Sequence, residues 1–424
     1  MAVLEGGSTG GGSVGSVGSG GLTGSAARAP SARAGVVLVG VILTVVLGIA
    51  VDHAAGWKLT LLYAIGLALG LVLFHSRFGF TGAWRQLVLV GQGTALRAHM
   101  LMLAVACVLF AVVLGVGASL SGTPQGIVLP AGPAVVLGAF LFGVGMQVGG
   151  SCASGTLFAV GSGQTAIGYT LGGFVLGSIA SVLATGWITP LQKIGPTVSF
   201  ADTPWGYPGA VLISFAIIGA VVGVSVLVQR RRKPPPVEKP PTARGLLRAI
   251  RGSWPLWVGA IGLGVLNAVT LLVSGGPWGI TSAFALWGTK ILGWLGIDLS
   301  HSAYWRVPKN AHTLHASVLA DKISVMDFGI MLGALVASAL AGAFVLHSRV
   351  PWRTALGAVL GGILMGIGAR IAGGCNIGAY FSGVASFSLH GWLWGAAALV
   401  GTYGGVALRP LFGLTNPKPT DSVC

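Results

Sequence analysis

Two cysteines stand in matched settings. Cys152 closes the run Phe142-Gly143-Val144-Gly145-Met146-Gln147-Val148-Gly149-Gly150-Ser151 and is followed by Ala153-Ser154-Gly155. Cys375 closes Met365-Gly366-Ile367-Gly368-Ala369-Arg370-Ile371-Ala372-Gly373-Gly374 and is followed by Asn376-Ile377-Gly378. Each thiol follows a long apolar run and a small-residue break, and begins a short segment. Glycines let the chain turn tightly or approach a ligand. A half-helix starting there presents unpaired N–H groups and the positive end of its dipole, which favour an anion. The same environment activates a thiol. Two such ends facing each other would make a compact site for a small, soft, sulfur-bearing anion. Its expected lining is Gly150, Ser151, Cys152 and Gly155 from the first motif, and Gly374, Cys375, Asn376 and Gly378 from the second. Arg370 is the only charged residue between Arg353 and Arg409. An intramembrane charge is costly and by default functional, so Arg370 is expected to supply positive potential on the approach to the site. Gln147 is its counterpart in the first motif. Cys107, in a plain apolar run, and Cys424, the last residue, are expected only to pack or to lie outside the site.

The elements that must hold these motifs follow from composition. Of 424 residues, 54% are hydrophobic and only 8% charged, against about 25% charged in soluble domains. A soluble enzyme is thereby excluded, and 72 glycines without a G-X-Y period exclude collagen. The net charge of +16 does not form one nucleic-acid-binding patch. It falls in short clusters between apolar runs, as in cytoplasmic loops of membrane proteins. The four cysteines match neither a disulfide framework nor a zinc spacing, and no cofactor or metal is expected.

Ten apolar runs can each span a bilayer: 35–52, 58–74, 99–118, 131–148, 165–187, 208–228, 255–273, 323–346, 355–371 and 389–408. Four shorter Gly-interrupted segments, 78–92, 152–163, 278–297 and 375–386, are expected to be re-entrant half-helices. The fold class is thus an all-α polytopic membrane protein with an inverted-topology repeat. Residues 1–34 form a disordered Gly/Ser-rich tail. Residues 35–229 form the first transmembrane half, with repeat 1 at about 58–187. Residues 230–254 form a basic, Pro-rich cytoplasmic linker, 255–410 the second half and repeat 2, and 411–424 a C-terminal tail. His75, His99 and His390 are read as loop or interface residues. Trp187, Trp205, Tyr207, Trp392 and Trp394 are read as interfacial belts.

The halves correspond. At a shift of 223, Gly143, Gly145, Gly150, Cys152, Gly155, Phe158, Gly168 and Gly172 fall on Gly366, Gly368, Gly373, Cys375, Gly378, Phe381, Gly391 and Gly395. At a shift of 200, Gly79, Thr81 and Ala83 fall on Gly279, Thr281 and Ala283. With the linker cytoplasmic, both termini are inside and Arg77, Arg85, Arg97, Arg349 and Arg353 also lie inside. The loop 298–322, with Arg306, Lys309 and Lys322, lies outside against the rule.

A G-x-G followed by G-G-x-C or G-G-C-x-x-G, occurring twice in a Gly-rich polytopic chain, resembles the YeeE/YedE family of sulfur- or selenium-handling membrane proteins. The resemblance covers roughly 58–228 and 255–409. It implies an hourglass of short helices dipping in from both faces. It also implies passage of thiosulfate by transient contacts with cysteine thiols, here Cys152 and Cys375. The family's thiosulfate importers carry a further cysteine in an R-F-C-F context. This sequence reads Arg77-Phe78-Gly79-Phe80-Thr81-Gly82, so Gly79 occupies that place. The expected function is import of a small sulfur-containing anion, thiosulfate first, by a plasma-membrane protein that is not an enzyme. Transport would be passive, ion-coupled or driven by downstream consumption. The expected partners are the anion, the lipid bilayer and a small cytoplasmic sulfur-carrier protein. The alternatives are a transporter of a selenium compound, sulfide or sulfite, or a membrane sulfurtransferase component that forms a cysteine persulfide.

Overall fold

The computed structural model describes residues 32–235, 247–346 and 349–418. Residues 1–31 of the expected tail, residues 236–246 of the linker and Cys424 lie outside the described residues.

The chain is built from helices in this order: α1 (Ala34–Ala55), α2 (Trp57–Ser76), α3 (Phe80–Leu89), α4 (Thr94–Val116), α5 (Pro133–Val148), α6 (Ala153–Gly161), α7 (Thr165–Leu183), α8 (Thr185–Gln192) and α9 (Gly206–Arg232). There follow α10 (Leu247–Arg251), α11 (Leu256–Ser274), α12 (Thr281–Trp294), α13 (Pro308–His315), α14 (Lys322–Leu340), α15 (Trp352–Ile371), a π-helical turn (Asn376–Phe381), α16 (Ser382–Ala385) and α17 (Leu389–Leu408). Every apolar run becomes a long helix. Each of the four short segments becomes one short helix or helical turn: α3, α6, α12, and the π-turn with α16. Nine helical segments among the described residues have the length and hydropathy to cross a membrane. In 57–89, 133–161 and 352–385 a long helix and the half-helix after it read as one. The twenty-residue α17 is not among the nine; its glycines, tryptophans and histidine dilute its hydropathy.

Several boundaries move: the third span already begins at Thr94 rather than 99, and the eighth ends at Leu340 rather than 346. Helix α9 runs through Arg230, Arg231 and Arg232, which the sequence reading placed in the linker. Cations in a last turn complement the helix dipole and lengthen the helix. The fifth span ends at Leu183 rather than 187, and the chain restarts as α8.

Backbone-to-backbone approach through glycine holds the long helices together. A Cβ on Gly66 or Gly70 of α2 would strike the carbonyl of Met326 or Ile330 on α14, and one on Gly329 or Gly333 would strike that of Tyr63 or Leu67. On α5, Gly145 faces Gly361 and Met365 of α15, while Gly368 faces Gly138 and Phe142. Each of these partners lies 223 positions from its counterpart. Gly143 meets Ala398 on α17, and Gly366 meets Phe174 on α7. Thus α5 packs on α17 as α15 packs on α7, and α2 packs on α14 as α11 packs on α4. Exchanging the two halves maps these main packed pairs onto one another. Helices α1 and α9 lie at the periphery, with Leu38, Val46, Leu212 and Val224 exposed.

Several aromatic and histidine readings are corrected. His75, His99 and His390 are buried, not at loops or interfaces. His75 stacks on Trp254 at 5.2 Å, and His99 on Phe80 at 4.3 Å. Trp394 is fully buried against Phe142 and Tyr380 rather than in a belt. Trp187 and Trp205 are exposed, as a belt requires. The exposed and buried groups have similar local sequence, and only the neighbouring helices distinguish them.

Overpacking at a backbone contact costs about 1–3 kcal/mol. Gly70→Val is therefore expected to lower the thermal midpoint of the detergent-solubilised protein by about 1–3 °C. Gly172→Ala, whose Cβ meets nothing within 4 Å, is expected to leave the midpoint in place. A midpoint in Gly70→Val equal to wild type would refute the close contact.

Candidate functional site

The two cysteine motifs fold alike. Gly150 and Gly373 adopt left-handed φ values of +77° and +74°, which glycine reaches without steric cost. The chain reverses there and sets each cysteine at a helix N-terminus. Cys152 caps α6 with φ −93° and ψ −174°; Cys375 caps the π-turn with φ −88° and ψ −171°. Both thiols are buried and neither is in a disulfide. They lie within electrostatic range of each other. The N–H groups of Ile377 and Gly378 are oriented toward Cys375 Sγ. Ser154 Oγ lies 3.7 Å from Cys152 Sγ.

The other short helices meet the same region. A Cβ on Gly378 would sit 4.0 Å from the Cα of Gly279, just before α12. Ser382 Oγ donates to the Trp278 carbonyl at 2.8 Å, and Asn267 Nδ2 donates to Ser382 Oγ at 3.2 Å. This ties the π-turn segment to α11 and to the entry of α12. From α3, Phe80 and Trp84 set their rings edge-on to Tyr380 at 6.2 and 5.9 Å. Gln147 Nε2 donates to the Thr81 carbonyl at 3.1 Å and joins the first turn of α3 to the end of α5. Gly79 caps α3 in an extended conformation, with open space where a Cβ would point. No sulfur is available at that position, and Cys107 lies elsewhere, its Sγ 3.7 Å from the Val384 carbonyl.

The predicted residues divide in two. Gly150, Ser151, Cys152 and Gly155 form one corner; a Cβ on Gly155 would meet Ser151 Oγ and lie 3.2 Å from Cys152 Sγ. Gly374, Cys375, Asn376 and Gly378 form the facing one. Gly79 and Gln147 join through α3. Arg370 is set apart from them by its own partner: its guanidinium lies over the Tyr304 ring at 4.1 Å. It is half-buried at the end of α15, beside the loop 298–307.

Polar atoms in this region lack protein partners. Neither amide atom of fully buried Asn376 has one, nor do Gln147 Oε1 and Thr81 Oγ1. Buried polar groups are nearly always paired, so these atoms suit a polar species that enters and leaves. One residue was missed in the sequence reading: Asp327 in α14 is fully buried, with neither carboxyl oxygen partnered. It lies within electrostatic range of Cys375. An acid inside a predicted span was the available signal.

The family model described as sulphur transport matches residues 75–404. The chain is 29% identical over 351 residues to the thiosulfate transporter TsuA of Spirochaeta thermophila, covering 78% of this chain and 92% of that one. It is 26% identical over 341 residues to the thiosulfate transporter TsuA of Escherichia coli, covering 77% and 88%. It is 32% identical over 161 residues to the probable transporter YedE of E. coli, covering 38% and 39%.

Asn376→Leu removes an amide that no protein group satisfies. Such a change is nearly neutral or stabilising, so its thermal midpoint is expected to equal or exceed that of wild type. A fall of more than about 2 °C, which corresponds to about 2 kcal/mol in a chain this size, would show that the amide supports the fold instead.

Proposed function

The chain belongs to the sulphur-transport family, and from that premise we propose that it imports thiosulfate. The observation that carries the reading is the matched pair of half-helix N-termini, each capped by a cysteine and brought together inside a bundle of membrane helices. The relatives that align along most of the chain are thiosulfate transporters by name.

A dianion in a low-dielectric waist needs positive potential without a full counter-charge that would trap it. The N-terminal ends of α6 and the π-turn supply partial positive charge and unpaired N–H groups. Cys152 and Cys375 act as neutral thiols that donate weak S–H hydrogen bonds to the terminal sulfur or oxygens; thiolates would repel the anion. Ser151 and Asn376 add stronger donors beside each thiol. Gly155 and Gly378 keep the space open. Gly79, in the place where the family's thiosulfate importers have a cysteine, leaves room instead of a third thiol, so passage relies on two thiols. Arg370 on Tyr304 supplies long-range attraction at the mouth. The two halves form an inverted repeat, supported by the exchange symmetry of their packed pairs and the equal backbone angles at the cysteines. The protein lies in the cell membrane with both termini cytoplasmic, supported by the basic residues 230–233, and a small cytoplasmic sulfur carrier would receive the product. Transport of a selenium compound, sulfide or sulfite on the same scaffold is the alternative in the same class. A persulfide-forming sulfurtransferase is the alternative in a different class, and the family's and relatives' transporter names weigh against it.

Uptake of radiolabelled thiosulfate by cells lacking other sulfate and thiosulfate importers tests the proposal. Cys152→Ala and Cys375→Ala are each expected to cut uptake at least about tenfold, the effect of ~1.4 kcal/mol on the barrier. Wild-type rates in both would sink the thiol mechanism. Addition of one sulfur atom to either cysteine, seen by mass spectrometry after thiosulfate exposure, would favour the sulfurtransferase instead.

Arg370→Gln is expected to raise the KM for thiosulfate several-fold and to weaken its dependence on ionic strength, since long-range steering is screened by salt. Unchanged kinetics would remove Arg370 from the pathway.

A further inference from the structure

Asp327 sits in the second turn of α14, a helix that packs on α6 and α12. It differs from the other described acids. Asp52, Asp202 and Asp298 are exposed. The backbone N–H and the hydroxyl of Ser300 both donate to Asp298 and hold its carboxyl below the usual range. Asp321 caps α14, accepting from the Ser324 N–H at 2.9 Å and hydroxyl at 2.7 Å. Asp327 is fully buried, and neither oxygen has a donor.

No cation among the described residues neutralises it. Lys322, on the same helix, reaches the Ser274 hydroxyl at 3.5 Å, and Lys290 on α12 donates to the Ala316 carbonyl at 2.8 Å. The elements packed against α14 carry few other titratable groups. Helix α6 has only Cys152 at its cap. Helix α2 has Lys58, Tyr63 and His75, of which Lys58 donates to the Leu120 carbonyl, Tyr63 to that of Thr44, and His75 stacks on Trp254. Helix α1 has Asp52 and His53 at the end that packs near Val325, both of them exposed, and α10 has Arg248 and Arg251. The groups that reach Asp327 electrostatically are Asp321, of the same sign, and Cys375.

An ionised carboxylate with no donor and no counter-charge is too costly to bury, whereas a carboxylic acid is not. A carboxyl in this setting, beside a site that passes an anion, has the properties of a proton carrier. We propose that Asp327 carries one proton through the transport cycle together with the anion. An Asp327 oxygen binds a proton from water on the entry side, stays neutral while the anion occupies the waist, and releases the proton to water on the exit side. Each proton cancels one of the negative charges that an inside-negative potential opposes. The inference rests on reading the chain as an anion transporter, but not on thiosulfate being the anion.

The test uses the full chain in proteoliposomes with the membrane potential clamped at zero. Radiolabelled thiosulfate, sulfite and selenite serve as probes, and an internal pH dye reports proton flux. With one proton per anion, a one-unit gradient, acid outside, is worth about tenfold in accumulation. Wild type is expected to approach that stimulation and to acidify the lumen as the anion enters. Asp327→Asn is expected to lose the stimulation, and Asp327→Glu to keep it. Full stimulation in Asp327→Asn, or wild-type accumulation indifferent to the gradient, would overturn the proposal. If sulfite or selenite enters and thiosulfate does not, the thiosulfate reading fails, and the same comparison on the anion that enters still decides the role of Asp327. A measurement independent of transport accompanies it. The infrared spectrum of the purified protein is expected to show a protonated-carboxyl C=O band that shifts in Asp327→Glu and is missing in Asp327→Asn. A wild-type spectrum without that band overturns the proposal even where a variant fails to insert.

Discussion

A helix that stops inside a hydrocarbon layer leaves N–H and C=O groups that lipid cannot satisfy. That constraint shapes the whole molecule. Helix α6 and the π-turn begin at Cys152 and Cys375, and such ends are tolerable only where protein encloses them. The enclosure consists of α2, α4, α5, α7, α11, α14, α15 and α17, which pack on one another in the pairs that surround the short helices. Their approach must be close, because a gap at this depth would admit lipid to unpaired backbone. Glycine against carbonyl provides it at Gly66, Gly70, Gly173, Gly177, Gly329 and Gly333. Without a hydrophobic driving force between helices in lipid, such contact is also the main source of association.

The same composition therefore performs two tasks. Gly150 and Gly373 reverse the chain through positive φ, while most other glycines in the bundle are ordinary helical residues whose missing side chain lets a neighbour in. Sparse charge is the counterpart. The described region around the cysteines holds partial charges from helix ends and neutral polar side chains. Full cations stand at its margins: Arg370 over Tyr304, and Arg409, whose Nη1 donates to the Gln147 carbonyl at 2.8 Å and whose Nε donates to Asn416. On the proposed route an anion would meet strong fields at the edges and weaker, renewable hydrogen bonds within, where tight binding would slow its exit.

How much of this was legible depended on the range of each signal. The spans and the four interruptions are local features of hydropathy and glycine, and they appear at nearly the expected residues. The equivalence of Cys152 and Cys375 is a register match, and their backbone angles agree to within a few degrees. His99, His390 and Trp394 were misplaced because a polar or amphipathic residue near a span end reads the same whether it faces lipid headgroups or a neighbouring helix. Asp327 was passed over inside Ser324-Val325-Met326-Asp327-Phe328, where one acid barely alters the hydropathy of the run.

The sequence by itself determined that this is a polytopic membrane protein, where its helices start and stop, and that two glycine–cysteine turns are equivalents. These are properties of contiguous residues and of one-dimensional register. Only the tertiary structure decided that α5 packs on α15, that Gly378 faces Gly279 from another short segment, that Arg370 is taken up by Tyr304, and that Asp327 lies buried and unpaired on a helix packed against α6. Those are distances between residues far apart in the chain. They are set by which glycine faces which carbonyl, and no local periodicity encodes that choice.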